Sequence, residues 1–130
     1  MLKVRINRAN WACGGRYSKH NSLNYSGNSL YDSETGGMCC LGFAVNQLCN
    51  VSLNRLDGRV YPSDINDICP SDQVTKMFEF VDLTQLRQFE RKAVKINDES
   101  RLAYTKREKQ LHKLFEKFGI KLEFYGEYTK

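Results

Sequence analysis

Residues 38–49 read MCCLGFAVNQLC, and the fold turns on this stretch. It is apolar nearly all round, as a helix enclosed by the rest of its domain should be. Leu41, Ala44, Val45 and Leu48 keep helical spacing, and Gly42 permits close approach of a neighbouring element. An enclosed helix needs partners on several sides, and the flanking sequence supplies them. Leu2, Val4 and Ile6 alternate with Lys3, Arg5 and Asn7, the period of a strand with one apolar and one basic face. Towards the other end Ile120, Leu122 and Phe124 alternate with Lys121, Glu123 and Tyr125 as a second strand.

Between the strands, Leu83, Leu86, Phe89, Ala93 and Ile96 recur at three and four, which predicts an amphipathic helix over 84–94, ended by an Asn97-Asp98 turn. Leu111, Leu114, Phe115 and Phe118 mark a third helix. Thr105 and Glu108 have capping-box spacing at its start, and Gly119 supplies a left-handed cap at its end. The Asp32 to Gly37 segment predicts a hairpin or a strand-to-helix corner, and 13–29 a surface loop. Residues 50–80, with both prolines, predict irregular structure with one or two short strands. The expected architecture is a single small α+β domain, residues 1–130. Its short sheet is formed partly by the terminal strands, around a buried central helix and two amphipathic ones.

Composition supports one folded core: 130 residues, 41% hydrophobic and 27% charged, unlike a disordered or collagen-like chain. No window approaches the roughly 18 uninterrupted apolar residues of a membrane helix, and MLKVRINRAN has no apolar signal-peptide core, so an intracellular product is expected. The net charge of +5 is unevenly placed. Residues 1–20 carry Lys3, Arg5, Arg8, Arg16 and Lys19 with no acid, the middle of the chain is acidic, and the last third is basic again. If the ends lie together they form a positive face for a phosphate-bearing partner; otherwise these are ordinary solubility charges, and a DNA mimic is disfavoured either way. Five cysteines, an odd number with two adjacent, fit reduced thiols. There is no C-x-x-C, and His20 and His112 have no zinc-ligand spacing, so neither metal nor cofactor is expected.

Two constellations carry possible chemistry. Cys39 and Cys40 follow a Gly-Gly turn and open a helix, where a thiol pKa falls and cysteine hydrolases place their nucleophile; a base would have to come from His20 or His112. The competing reading makes both thiols small packed hydrophobes. Trp11 is flanked by Arg8, Arg16, Tyr17 and Lys19, an interleaving suited to stacking a base and pairing a phosphate, unless Trp11 plugs the edge of the core.

Three parts of the chain also resemble a widespread family of small tailed-bacteriophage proteins: Trp11 with the Gly-Gly segment after it; the Gly37-Met-Cys-Cys-Leu-Gly-Phe43 run; and Asn97-Asp98 followed by Arg107-Glu108, Phe115, Gly119-Ile120 and Phe124. The resemblance implies a phage gene product in the host bacterial cytoplasm and brings no particular activity with it. The expected function is a non-enzymatic accessory protein, in a counter-defence role, that uses its basic N-terminal face. Its partner is a host or defence-system protein, or an anionic nucleotide or nucleic acid. The alternatives are a cysteine-dependent hydrolase or transferase using Cys39 or Cys40, and a module for protein partners only.

Overall fold

In a computed structural model, which describes residues 1–15 and 28–128, the two ends of the chain lie side by side. Strand β1 (Leu2–Asn7) pairs in parallel with β2 (Ile120–Tyr125), in a register running from Leu2↔Ile120 to Asn7↔Tyr125. Parallel neighbours need a long crossover, and the rest of the chain provides it. The crossover contains α1 (Cys40–Leu48), α2 (Leu53–Leu56), α3 (Ser71–Met77), α4 (Leu83–Asp98) and α5 (Tyr104–Lys117), with 3-10 turns at Arg8–Asn10 and Pro62–Asp64. The α+β class and the sheet of terminal strands are as the sequence predicts.

The sheet is one-sided. Val4, Ile6, Ile120 and Leu122 are buried against the helices, while Lys3, Arg5, Lys121 and Tyr125 face outward. The other edge of β1 is occupied by a side chain: Gln47 on α1 accepts from the Arg5 amide at 2.8 Å and donates to the Arg5 carbonyl at 2.7 Å. That carboxamide replaces a third strand and blunts an edge that would otherwise invite pairing. Beyond β1 the chain makes one more strand-like rung, Ala12 donating to Met38 and Met38 to Asn10, which delivers it to α1. The 32–37 segment is the strand-to-helix corner: the Gly36 amide reaches the Asp32 carbonyl at 2.7 Å, and the Asp32 carboxylate accepts from Glu34 and Thr35.

Helix α1 is the enclosed element, with every residue from Cys40 to Val45 buried. Gly42 is required by contact: a β-carbon there would lie 1.8 Å from the Leu30 carbonyl oxygen. Helix α1 also packs on α4, and α4 and α5 close an aromatic cluster in which Phe89 meets Phe115 at 4.9 Å, Phe118 at 5.2 Å and Phe80 at 5.3 Å between ring centroids.

Three expectations are corrected. Helix α4 does not end in a turn at Asn97-Asp98 but runs through both. Asp82 caps its start, accepting from the Gln85 amide, and Arg107 holds its end by donating to the Ile96 and Asn97 carbonyls. The capping box does not form: α5 starts two residues earlier, behind Ala103 and not Thr105, with no side-chain cap, and Glu108 is drawn to Arg8. Residues 50–80 contain no strand among the described residues, only one isolated bridge between Tyr31 and Asp57. Their apolar residues Leu56, Ile65, Val74, Phe78 and Phe80 are buried from short helices and turns. Of the expected loop, 16–27 lies outside the described residues.

The two sites respond differently to substitution. Gly42→Ala forces a methyl group into backbone and is expected to cost about 3 kcal/mol or more. Thr105→Ala removes no cap and should change stability by less than about 0.5 kcal/mol. Urea midpoints of both variants check this.

Candidate functional site

The residues singled out in the sequence divide into those the fold consumes and those it leaves outward. Trp11 is consumed. It is fully buried, its indole Nε1 donates to Asn97 Oδ1 at 2.8 Å, and its ring lies 5.1 Å from Phe124 and 6.3 Å from Tyr128. This corrects its reading as a stacking platform, since a sealed ring offers no face to a ligand; Trp11 plugs the core. Arg8 is also engaged: Nε and Nη2 donate to the two Glu108 oxygens at 2.7 and 2.8 Å, and Nη1 to the Gly126 carbonyl at 3.1 Å. The fork-to-fork pair raises the Arg8 pKa. Burial pushes Glu108 up, but the hydrogen bonds from Arg8 and Tyr128 more than offset it, so that carboxyl titrates below its usual range. Arg8 therefore ties the end of β1 to α5 and to the turn after β2. Arg16, Tyr17 and Lys19 lie outside the described residues, as does His20.

The cysteine pair is placed where the sequence predicts, at the start of α1, but its surroundings do not activate it. Burial pushes the Cys39 thiol up to about 12, with the Gly42 amide partly opposing, and burial raises Cys40 well above the ordinary thiol value. The Cys40 backbone N–H at the helix start is directed to Asn97 Oδ1 at 3.0 Å, and His112 sits on the exposed side of α5. These thiols have the environment of packed side chains, in which the nucleophilic thiolate is disfavoured.

What organises this region is a residue whose local sequence reads as a turn. Asn97 Oδ1 accepts from both Trp11 and Cys40, and its Nδ2 donates to the Ala12 carbonyl at 2.9 Å and to Asp98 Oδ1 at 3.0 Å. Its own carbonyl accepts from the Gly14 amide at 2.7 Å and from Arg107 at 2.9 Å. Asp98 in turn receives both the side chain and the backbone N–H of Asn28. Arg107, 2% exposed, has four of its donor hydrogens on the carbonyls of Ile96, Asn97, Glu99 and Leu102. A basic residue in the first turn of its own helix opposes the helix dipole, and that mismatch is the signal that Arg107 serves a different element.

The outward residues converge on the exposed face of the sheet. The parallel register sets Arg5 opposite Glu123 and Lys3 opposite Lys121. Glu123 lies 3.5 Å from Lys3 Nζ, 3.6 Å from Arg5 Nε and 3.8 Å from Lys121 Nζ, so three cations surround one carboxylate. The Arg5 guanidinium lies over the Tyr125 ring at 4.4 Å, and Tyr125 remains 40% exposed. Lys3 and Arg5 are legible in the sequence as the basic side of β1. Lys121 and Tyr125 join them only through a pairing that spans the whole chain.

No protein-family model, curated relative or solved structure matches the chain. Among the described residues no helix is long and apolar enough to cross a membrane, and no group of three metal-ligating side chains converges.

The buried polar knot has a pH signature. Burial holds the Asp98 carboxyl above its ordinary value, ahead of the hydrogen bonds from Asn97 and Asn28 that lower it. The folded state thus keeps this proton to higher pH than the unfolded chain does. Its contribution to stability is fully present below the unfolded value and declines as pH rises towards the folded one. Asp98→Asn has no proton to lose, so the stability of the natural protein relative to this variant should fall as pH rises through and above the carboxylate range. Denaturant titrations of both proteins across that range check the sign.

Proposed function

We propose that the protein is a non-catalytic binding protein, of the phage accessory kind that its sequence resembles, which takes a phosphate-bearing partner on the outer face of the terminal sheet. The partner chemistry that suits this face best is a single-stranded nucleic acid segment belonging to a host or defence component in the bacterial cytoplasm. The observation that carries the reading is the surplus of Lys3, Arg5 and Lys121 over the single carboxylate of Glu123, beside the exposed ring of Tyr125.

Charge and stacking act together on this face. Glu123 holds three cations within reach of one another while neutralising only one of them, so an incoming phosphate meets donors already gathered. Tyr125 presents part of its ring next to them, and a base stacked on an aromatic side chain adds sequence-tolerant affinity to the electrostatic attraction. The apolar side of the two-stranded sheet is used by the core, which leaves this face to solvent. The cysteine-dependent alternative draws less support, because burial disfavours the thiolate at both Cys39 and Cys40.

Titrating single-stranded oligonucleotides against the protein at several salt concentrations tests the reading. The natural protein should bind with an affinity that falls steeply with salt. Lys3→Ala and Lys121→Ala should each weaken binding and flatten the logarithmic salt slope by roughly 0.7 for each phosphate that is no longer neutralised. Tyr125→Ala should weaken binding with the slope nearly kept, because stacking releases no counterions. Trp11→Ala should act through stability instead. No binding by any oligonucleotide at low salt would overturn the proposal.

A further inference from the structure

A second feature lies away from the outer sheet face, at the start of α5. A cleft of about 360 Å³ opens there, bordered by Gly14, Gly15, Ser100, Ala103, Tyr104 and Arg107. Its volume is within the roughly 300–1,000 Å³ range of small-molecule sites.

Helix α5 is fourteen residues long and begins without a cap. Ala103 at the N-cap has no side-chain acceptor, no acid lies in the first turn, and the backbone N–H groups of Tyr104, Thr105 and Lys106 have no partner among the described residues. The same turn holds two cations, Lys106 and Arg107, at the positive end of the helix dipole. Such a helix start is electrostatically incomplete, and an anion is what completes it.

Arg107 supplies the independent observation. It is 2% exposed, and its Nη1 and Nη2 hydrogens are taken by carbonyls, yet its buried Nε–H has no partner. Nε–H shares one edge of the guanidinium with Nη2, and Nη2 faces Gly14 on the cleft wall, 3.0 Å from where a β-carbon on that glycine would sit. A side chain at position 14 would press against this end of the guanidinium, and one at Gly15 would stand in open space. The carboxylates that precede the cleft in sequence are turned elsewhere, Glu99 to the Arg101 amide and Asp98 to Asn28 and Asn97. Tyr104, 40% exposed, is backed by Tyr128 in a stacked pair at 4.1 Å, which fixes its ring at the cleft wall.

We infer that this cleft binds the phosphate of a small phosphomonoester of nucleoside monophosphate type. The phosphate sits on the free amides of the α5 start with Arg107 behind it, and the base lies against Tyr104. This site is separate from the sheet face and does not depend on the reading of it.

Amide chemical shifts during titration with AMP test the inference, with adenosine as the control that lacks the phosphate. AMP should move the amides of Tyr104, Thr105, Lys106 and Gly14, and adenosine should bind more weakly. Ala103→Asp places the protein's own carboxylate at the N-cap. It should keep or raise the melting temperature, because aspartate is a favourable cap, and should weaken AMP by about fivefold or more through like-charge repulsion. That variant keeps the test readable where Arg107 variants fail to fold. Unchanged AMP affinity in folded Ala103→Asp, adenosine binding as tightly as AMP, or no shifts at millimolar AMP would each overturn the site. Shifts confined to Lys3, Arg5 and Lys121 would also overturn it, while leaving the sheet face standing.

Discussion

The carboxamide of Asn97 on α4 sits where the segment after β1 and the start of α1 meet that helix, and both use it to settle polar groups that burial would otherwise leave unpaired. Its oxygen takes the Trp11 indole and the first amide of α1, and its nitrogen reaches the segment after β1 and the Asp98 carboxylate. A buried amide without a partner costs about 1–3 kcal/mol, so one residue removes several such penalties together. The positions of Trp11, α1 and α4 are therefore coupled, and the start of α5 joins them through Arg107, which closes the C-terminal carbonyls of α4. The Gly42–Leu30 contact and the Gln47 clasp on β1 depend on α1 being held at that height and rotation.

This arrangement decides which cations remain for function. Arg8 is spent inside the structure on Glu108, and Arg107 commits four of its five donor hydrogens to backbone carbonyls and keeps only Nε–H. Lys3, Arg5 and Lys121 are not so committed, because among the described residues the one carboxylate they share is that of Glu123. Net charge alone does not separate these groups. The difference is whether an arginine's fork finds fixed acceptors in a low-dielectric setting or stays on a solvated face where pairing is weak.

Much of the fold is legible in the sequence because it follows local periodicity. The alternation of β1 and β2, the enclosed character of 38–49 and the stripe of 111–118 each need only neighbours in sequence. Sequence reading fails where a local signal competes with a distant partner. Asn97-Asp98 has turn chemistry, yet Arg107 ten residues later supplies the donors that let the helix run on. Thr105 and Glu108 have capping-box spacing, yet Glu108 gains more from a bidentate arginine one hundred residues away. The candidate site is half legible for the same reason: Lys3 and Arg5 stand on one strand, while Tyr125 and Lys121 come from the other end of the chain. The sequence allows Trp11 as a platform or as a plug, and only its burial and its bond to Asn97 separate the two.

If the Asn97 knot is the constraint on which the rest of the structure depends, it opens only when the whole domain does. Hydrogen exchange at the Trp11 indole N–H, followed by NMR in native conditions, measures this directly. Exchange should proceed with an opening free energy equal to the global stability from denaturant unfolding, and that protection should be lost in Asn97→Ala. Indole exchange far faster than global unfolding allows, in the natural protein, would contradict it.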